Sequence, residues 1–212
     1  MYELVVVGAG PGSTELVTPA AQAAIKDADA VVAAPRHAQL VPPSKLIVMG
    51  KLADTLAEIE RRLKTGSVAV VVSGDPGLFS LLPRLKQRFP AVRLRVIPGV
   101  SSVQAFCARL GESWEQARIL SGHGRPLTPG ALAAAVQQNS TTFLFCDREH
   151  NPTWVCQALL AYDLEAVQVA VGERLSYPQQ RLSCGQPADL IGRDFDDLSV
   201  VRIANPSAEP CV

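Results

Sequence analysis

The stretch Val68–Phe79, Val-Ala-Val-Val-Val-Ser-Gly-Asp-Pro-Gly-Leu-Phe, decides the fold class. Its first five residues are apolar and mostly β-branched, which is typical of a strand buried on both faces. The composition then changes to that of a tight loop at Ser73-Gly74-Asp75-Pro76-Gly77. An apolar helical pattern begins at Leu78 and predicts a helix that runs to about Phe89. A strand that passes through a loop into a helix is the repeating unit of a parallel α/β sheet.

The same succession of strand, glycine-bearing loop and helix occurs at two further places. A strand predicted over 3–8 ends at Gly8-Ala9-Gly10-Pro11-Gly12-Ser13, and one predicted over 92–97 ends at Pro98-Gly99-Val100-Ser101-Ser102. Ligands bind to open parallel sheets outside the carboxyl ends of the strands. We therefore expect these loops to surround one ligand cleft.

Two α/β domains account for the whole pattern of elements. Residues 1–112 alternate strands with helices, which predicts a mainly parallel sheet. Residues 113–212 contain a hairpin signal at Tyr177-Pro178-Gln179-Gln180, so we predict a mixed sheet there. The further predicted strands are 29–34, 46–49, 117–121, 142–146, 167–171, 180–184 and 198–203, and the further predicted helices are 20–28, 52–63, a segment ending at Leu110, 129–138 and 151–162.

Composition excludes several classes of protein. The chain has 212 residues, 48% of them hydrophobic, and a formal net charge of zero, so it can bury a core but lacks the basic balance of a nucleic-acid-binding protein. No apolar run approaches the roughly 18 residues that a membrane span needs. The five cysteines are odd in number and widely spaced, without metal-ligand spacing. We expect a cytoplasmic protein without metal, nucleic-acid or membrane partners.

The sequence lacks the familiar catalytic motifs. A dinucleotide fingerprint starting at Gly8 would need glycine where Ser13 stands, and neither a P-loop nor a GxSxG elbow occurs. The three histidines, His37, His123 and His150, fall in separate predicted loops. From the residues alone the roles of the loops stay open: the glycines can merely shape turns, and Asp75 can cap a turn or accept a hydrogen bond from a ligand.

Four loops taken together carry a family resemblance. Gly8–Gly12, Ser73–Pro76, Pro98–Ser102 and Gly172–Arg181 occur in an order and spacing that resemble the tetrapyrrole methylases of corrin and sirohaem synthesis. The resemblance implies S-adenosylmethionine bound in a cleft between two α/β domains, S-adenosylhomocysteine as its product, and a homodimer. It implies a corrin-type substrate rich in carboxylates, which arginines would anchor. Methyl transfer then needs alignment of the reacting atoms and no protein nucleophile or metal.

The resemblance also implies site residues by position. The implied cofactor contacts are Pro11, Ser73, Gly74, Asp75, Leu78, Ser101, Ser102, Cys146 and Leu175. Cys146 and Leu175 stand where related methylases often have methionine and glycine. Ser101 and Ser102 can instead cap the helix that follows them. No catalytic base is identified.

Three further segments resemble one branch of the family, which methylates C5 of cobalt-precorrin-7 (or precorrin-7) in cobalamin biosynthesis. They are Pro35–His37, Ser121–Arg125 and Asp147–Pro152. The resemblance implies hand-over of the product to other enzymes of that pathway. Methylation at another corrin position, of uroporphyrinogen III or of a diphthine precursor stays open, as does a non-catalytic module that binds S-adenosylmethionine or a tetrapyrrole. The expected substrate-binding residues are Gly10, Gly12, Arg36, His37, His123 and Arg125.

Overall fold

The computed structural model of the protein describes residues 2–124 and 126–206. The chain forms two compact α/β units, Met1–Ser101 and Ser102–Val212. The sequence places the boundary after residue 112, whereas helix α4 (Ser102–Leu110) buries its apolar side chains in a core with Phe143 and Ala170 of the second unit. The cleft that the sequence predicts between the two domains stays a prediction.

The first unit is built on a five-stranded parallel sheet with the strand order β3-β2-β4-β1-β5. β5 therefore lies at an edge, as its alternation of apolar and basic residues predicts. The strands are β1 (Glu3–Gly8), β2 (Ala30–Ala33), β3 (Leu46–Val48), β4 (Val68–Val72) and β5 (Arg93–Ile97), and the helices are α1 (Pro19–Asp27), α2 (Leu52–Arg62) and α3 (Leu82–Arg88), with 3₁₀ segments at Thr14–Leu16 and Pro35–Leu40.

The central strands of this sheet are buried on both faces. In β4, Ala69 and Val71 pack into one core with α1, while Val68, Val70 and Val72 pack into a second core with side chains of α2 and α3. Strand side chains alternate between the two faces of a sheet, so a continuous apolar run fills both cores. The prediction from Val68–Phe79 of a doubly covered parallel strand is confirmed.

Helix α3 begins later than the sequence pattern predicts. Its first residue is Leu82 rather than Leu78, because Phe79 adopts a left-handed backbone with φ of 50°. The Oγ of Ser80 accepts a hydrogen bond from the backbone N–H of Leu82 at 3.3 Å. The apolar periodicity continues through residues that form turns, so periodicity alone placed the helix start too early.

The second unit contains a mixed five-stranded sheet with the order β6-β7-β10-β8-β9. Among the strand pairs that the described residues form within this second sheet, only β6–β7 is parallel, and β8–β9 is the predicted hairpin. The elements are β6 (Arg118–Ser121), α5 (Pro129–Gln138), β7 (Thr141–Phe145), α6 (Pro152–Leu160), β8 (Gln168–Glu173), β9 (Arg181–Gly185), α7 (Pro187–Leu190) and β10 (Ser199–Ala204).

Two cores cover this sheet. Apolar side chains of α5, α6 and α7 pack on one face, and those of α4 pack on the other. Among the described residues no helix is both long enough and apolar enough to cross a membrane.

Candidate active site

Three loops meet at the carboxyl edge of the first sheet, and only glycine fits at their contact. A Cβ built on Gly99 would lie 2.4 Å from the carbonyl oxygen of Gly74, and one on Gly8 would lie 2.6 Å from the nitrogen of Gly99. The backbone N–H of Gly74 donates to the carbonyl of Gly10 at 2.8 Å. The loops after β1, β4 and β5 thus form one continuous backbone surface.

Asp75 ties two of these loops together. Its Oδ1 accepts a hydrogen bond from the backbone N–H of Gly77 at 2.7 Å, and its Oδ2 accepts one from the backbone N–H of Gly99 at 3.1 Å. The first contact is the turn cap that the sequence leaves open, and the second joins the β4 loop to the β5 loop. Each carboxylate oxygen can accept a further hydrogen bond. Asp75 can therefore hold the loops and still contact a ligand.

A cluster of three polar side chains lies beside this surface. The Nε2 of His37 lies 2.8 Å from the Oγ of Ser73, and the guanidinium of Arg36 donates to the same Oγ through Nη2 at 2.6 Å and Nε at 3.1 Å. β2 and β4 are neighbours in the sheet, so the residues that follow the two strands meet at one edge.

The cluster settles which nitrogen of His37 carries the proton. The Nε of Arg36 donates to the Nε2 of His37 at 3.3 Å, and a guanidinium N–H can only donate. Nε2 is therefore an unprotonated acceptor, and the hydroxyl of Ser73 donates to it. Burial of the ring, assisted by the charge of Arg36, lowers the pKa of His37 to about 4. The ring is neutral at neutral pH.

The other residues expected in the first unit surround the same edge. Gly10 has a left-handed φ of 75°, and the Cα of Ser101 would be 3.6 Å from a Cβ placed on Gly74. Ser101 is buried, whereas Pro11, Gly12 and Leu78 are partly exposed. Ser102 is the first residue of α4 and belongs to the second unit.

In the second unit, Leu175 follows β8 in a strained loop. Arg174 and Ser176 flank it with left-handed φ angles of 45° and 70°, and non-glycine residues rarely adopt this conformation. The Leu175 side chain is buried close to Gly172, where an added Cβ would lie 2.9 Å from its Cδ2. Strain of this kind concentrates at functional sites.

Cys146 directly follows β7 and is buried. Its Sγ donates to the carbonyl of Leu144 at 3.8 Å, and burial raises the pKa of the thiol far above its usual value. The thiol therefore stays protonated at neutral pH. It can contribute an apolar surface or a weak hydrogen bond, but not a thiolate nucleophile.

The loop Gly122–Gly124 carries the exposed His123, and the ring of His150 packs against this loop at Gly122. The ring nitrogens of His150 lie 3.1 Å from the Oδ1 of Asp147 and 3.1 Å from the carbonyl oxygen of Leu127. A Cβ on Gly122 would lie 2.9 Å from the same ring. His150, which the sequence pattern places in a loop, is thus a buried anchor. Arg125 lies outside the described residues.

Sequence reasoning missed the contact between His37 and Ser73. The two residues are far apart in the chain and match no catalytic motif, so no local pattern links them. The available signal was that both follow predicted strands of one parallel sheet. Which strands are neighbours is a property of the tertiary structure.

Comparisons with known proteins identify the family and the fold of the chain. Residues 3–190 match the family model of the tetrapyrrole (corrin/porphyrin) methylases. The chain is 29% identical over 201 residues to a cobalt-precorrin-7 C(5)-methyltransferase from Salmonella typhimurium strain LT2, covering 93% of this chain and 97% of the relative.

Two solved structures share the fold. The methyltransferase CobJ superposes with a TM-score of 0.82 at 24% identity, covering 99% of this chain and 96% of that chain. A uroporphyrin-III C-methyltransferase from Thermus thermophilus, complexed with S-adenosylhomocysteine, gives a TM-score of 0.78 at 20% identity, with 95% and 97% covered. Because the family model spans most of the sequence, the chain belongs to the tetrapyrrole (corrin/porphyrin) methylase family.

Proposed function

We propose that the protein is an S-adenosylmethionine-dependent C-methyltransferase that methylates a corrin precursor at C5 of cobalt-precorrin-7 in cobalamin biosynthesis. The observation that carries the proposal is the backbone surface formed by Gly8, Gly74 and Gly99 at the carboxyl edge of the first sheet. Membership of the family supports the reaction class. The Salmonella relative, which aligns along nearly its whole length, supports the choice of C5.

The chemistry of the loops fits the methyl donor. Side-chain-free backbone allows a flat ligand to approach closely, and the carboxylate of Asp75 retains acceptor capacity for a ribose hydroxyl or an ammonium group. When bound, S-adenosylmethionine supplies an electrophilic methyl group whose leaving group is a neutral thioether. The residues that would hold it are Pro11, Ser73, Gly74, Asp75, Leu78, Ser101, Ser102, Cys146 and Leu175.

The task of the protein is then to orient the two reactants. Holding them in a near-attack geometry can supply several kcal/mol of the barrier, roughly 7–11 in the best cases. The tie between Asp75 and Gly99 and the locked backbone around Leu175 are rigid features suited to that task. Neither the buried Cys146 thiol nor any nucleophile is required.

A second group of residues would bind the macrocyclic substrate. Arg36 is exposed beside Ser73, and His123 is exposed on its glycine-flanked loop. Both suit the carboxylates of a corrin rim. His37 is neutral and buried, so it would contribute hydrogen bonding rather than charge. The proposed substrate-binding residues are Gly10, Gly12, Arg36, His37, His123 and Arg125.

The family resemblance also leads us to propose a homodimer that works in the cytoplasm and passes its product to other enzymes of the pathway. Analytical ultracentrifugation of the purified chain tests the dimer. A monomer at micromolar concentration would contradict it.

Two measurements test the function. Calorimetry with S-adenosylmethionine should show binding, and incubation with cobalt-precorrin-7 and a ¹³C-methyl donor should place the label at C5 by NMR. Label at another carbon would overturn the regiochemistry, and turnover of uroporphyrinogen III instead would overturn the substrate. Donor and macrocycle binding without methyl transfer would identify a binding module.

A further inference from the structure

We propose that Ser73 and His37 form a proton relay that accepts the proton lost from the macrocycle when its ring carbon is methylated. The inference rests on the proposed function and gives Ser73 a role beyond contact with the cofactor. Its geometric basis is the cluster at the carboxyl edge of the first sheet, where the Oγ of Ser73 lies 2.8 Å from the Nε2 of His37.

The directions of the hydrogen bonds allow a proton to pass from Ser73 to His37. Arg36 donates to the Oγ of Ser73 and to the Nε2 of His37, so the serine proton must point at the unprotonated Nε2. The Nε–H of Arg36 is shared between the Oγ of Ser73 at 3.1 Å and the Nε2 of His37 at 3.3 Å, so an incoming proton would displace this longer, shared contact and leave the 2.6 Å bond from Nη2 in place. The adjacent guanidinium favours negative charge on that oxygen during the transfer.

Ser73 and His37, the two members of the relay, differ in their exposure to solvent. His37 is only 3% exposed, whereas Ser73 is partly exposed and is followed directly by Gly74 of the backbone surface. Ser73 adjoins both the surface that would hold the methyl donor and the exposed Arg36, which would hold a carboxylate of the macrocycle. The serine would therefore touch the reacting macrocycle, and the Nε2 of His37, which contacts the Oγ of Ser73, would take up the proton through it.

The chemistry balances without any further reactant. An electron pair of the macrocycle forms the new carbon–carbon bond, the carbon–sulfur bond breaks, and its electrons remain on sulfur. The methylated ring then loses one proton, whose bonding electrons return to the ring. Ser73 takes this proton as its own hydroxyl proton passes to the Nε2 of His37, which later releases it to solvent.

Steady-state kinetics tests the relay with two substitutions. Ser73→Ala removes the first acceptor, and His37→Gln keeps a hydrogen-bond acceptor near Nε2 but cannot hold a proton. We expect kcat to fall by about 100-fold in each variant, the ordinary size of a lost acid–base contribution. The KM for the macrocycle and the calorimetric Kd for S-adenosylmethionine should stay within about twofold of wild type for His37→Gln, since hydrogen-bonding shape is kept. Ser140→Ala, at an exposed loop position, is the matched control.

A second readout needs no turnover. ¹⁵N NMR of histidine-labelled protein at pH 7 should show for His37 a neutral ring with its proton on Nδ1. The Nε2 resonance should move in Ser73→Ala. The signals are assigned by their loss in His37→Gln, because the chain has three histidines. A proton on Nε2, or a charged ring at pH 7, would overturn the relay.

The outcomes separate this inference from the proposed function. If wild type transfers methyl groups and both variants keep its kcat, the relay is wrong and the methyltransferase stands. If wild type neither binds S-adenosylmethionine nor methylates cobalt-precorrin-7, the proposed function is wrong and the relay fails with it, whatever the tautomer of His37.

Discussion

Replacing Gly99 by alanine should separate the loops of the first unit. The new Cβ would stand 2.4 Å from the carbonyl oxygen of Gly74 and 2.8 Å from the carbonyl carbon of Gly8, where ordinary contact begins at 3.4 Å. Both obstacles are backbone atoms, so the loops must part by about 1 Å. Overpacking of this kind costs about 1–3 kcal/mol. For a chain of this size we expect the Tm to fall by about 2–12 °C.

The same displacement should weaken cofactor binding at least tenfold by calorimetry, because the loops that would hold the donor no longer meet. Gly50→Ala is the matched control, since no atom lies within 4 Å of its added Cβ. That substitution should leave stability within about 0.5–1 kcal/mol of wild type, with a gain rather than a loss expected. A Gly99→Ala protein as stable as Gly50→Ala would refute the close approach of the three loops.

Three further predictions concern side chains. Asp75→Ala removes the acceptor of the backbone N–H groups of Gly77 and Gly99, so the free energy of unfolding in urea should fall by about 1–3 kcal/mol. An unchanged urea midpoint would contradict the proposed link between the two loops. The pKa of His37 falls from 6.5 in the unfolded chain to about 4 in the folded protein, because the ring is buried and lies beside the charge of Arg36, while the neighbouring Ser73 is uncharged. Between these two pH values the unfolded chain binds a proton that the folded protein does not, so wild type should lose about 3 kcal/mol of stability as the pH falls from 6.5 to about 4. In His37→Gln, the free energy of unfolding should fall less steeply with decreasing pH over that range. A pH dependence identical to that of wild type would refute the lowered pKa of His37. Glu112→Gln removes the negative charge that lies 2.8 Å from the guanidinium of the buried Arg202, and it should lower the free energy of unfolding by about 3–5 kcal/mol. The double variant Glu112→Gln/Arg202→Met should restore most of this loss, and equal stabilities for the two variants would argue against a buried charge.

Local pattern was enough for most of the elements. Thr18 and Pro19 begin α1 as the sequence predicts, because the threonine hydroxyl accepts from the N–H of Ala21 and proline suits the first helical turn. The start of α3 was wrong by four residues, since the left-handed Phe79 leaves no mark in apolar periodicity.

Burial of single polar residues could not be predicted. His150 and His37 occur in predicted loops, yet both are buried by contacts with residues that other strands bring near. Arg202 occupies a central strand and pairs with Glu112, which no sequence spacing connects to it. Such contacts depend on which strands are neighbours, and neighbouring strands here are often not consecutive in the chain.

The sequence by itself determined the strands, the glycine loops at their carboxyl ends and the family to which the motifs point, because backbone preference and burial pattern are properties of short segments. Only the tertiary structure decided that the loops after β1, β4 and β5 touch at three glycines, and that His37 meets Ser73. The physical reason is the strand order. Placing β4 between β2 and β1 brings distant residues to one edge, and the hydrogen-bonded sheet that sets this order is assembled from the whole unit at once.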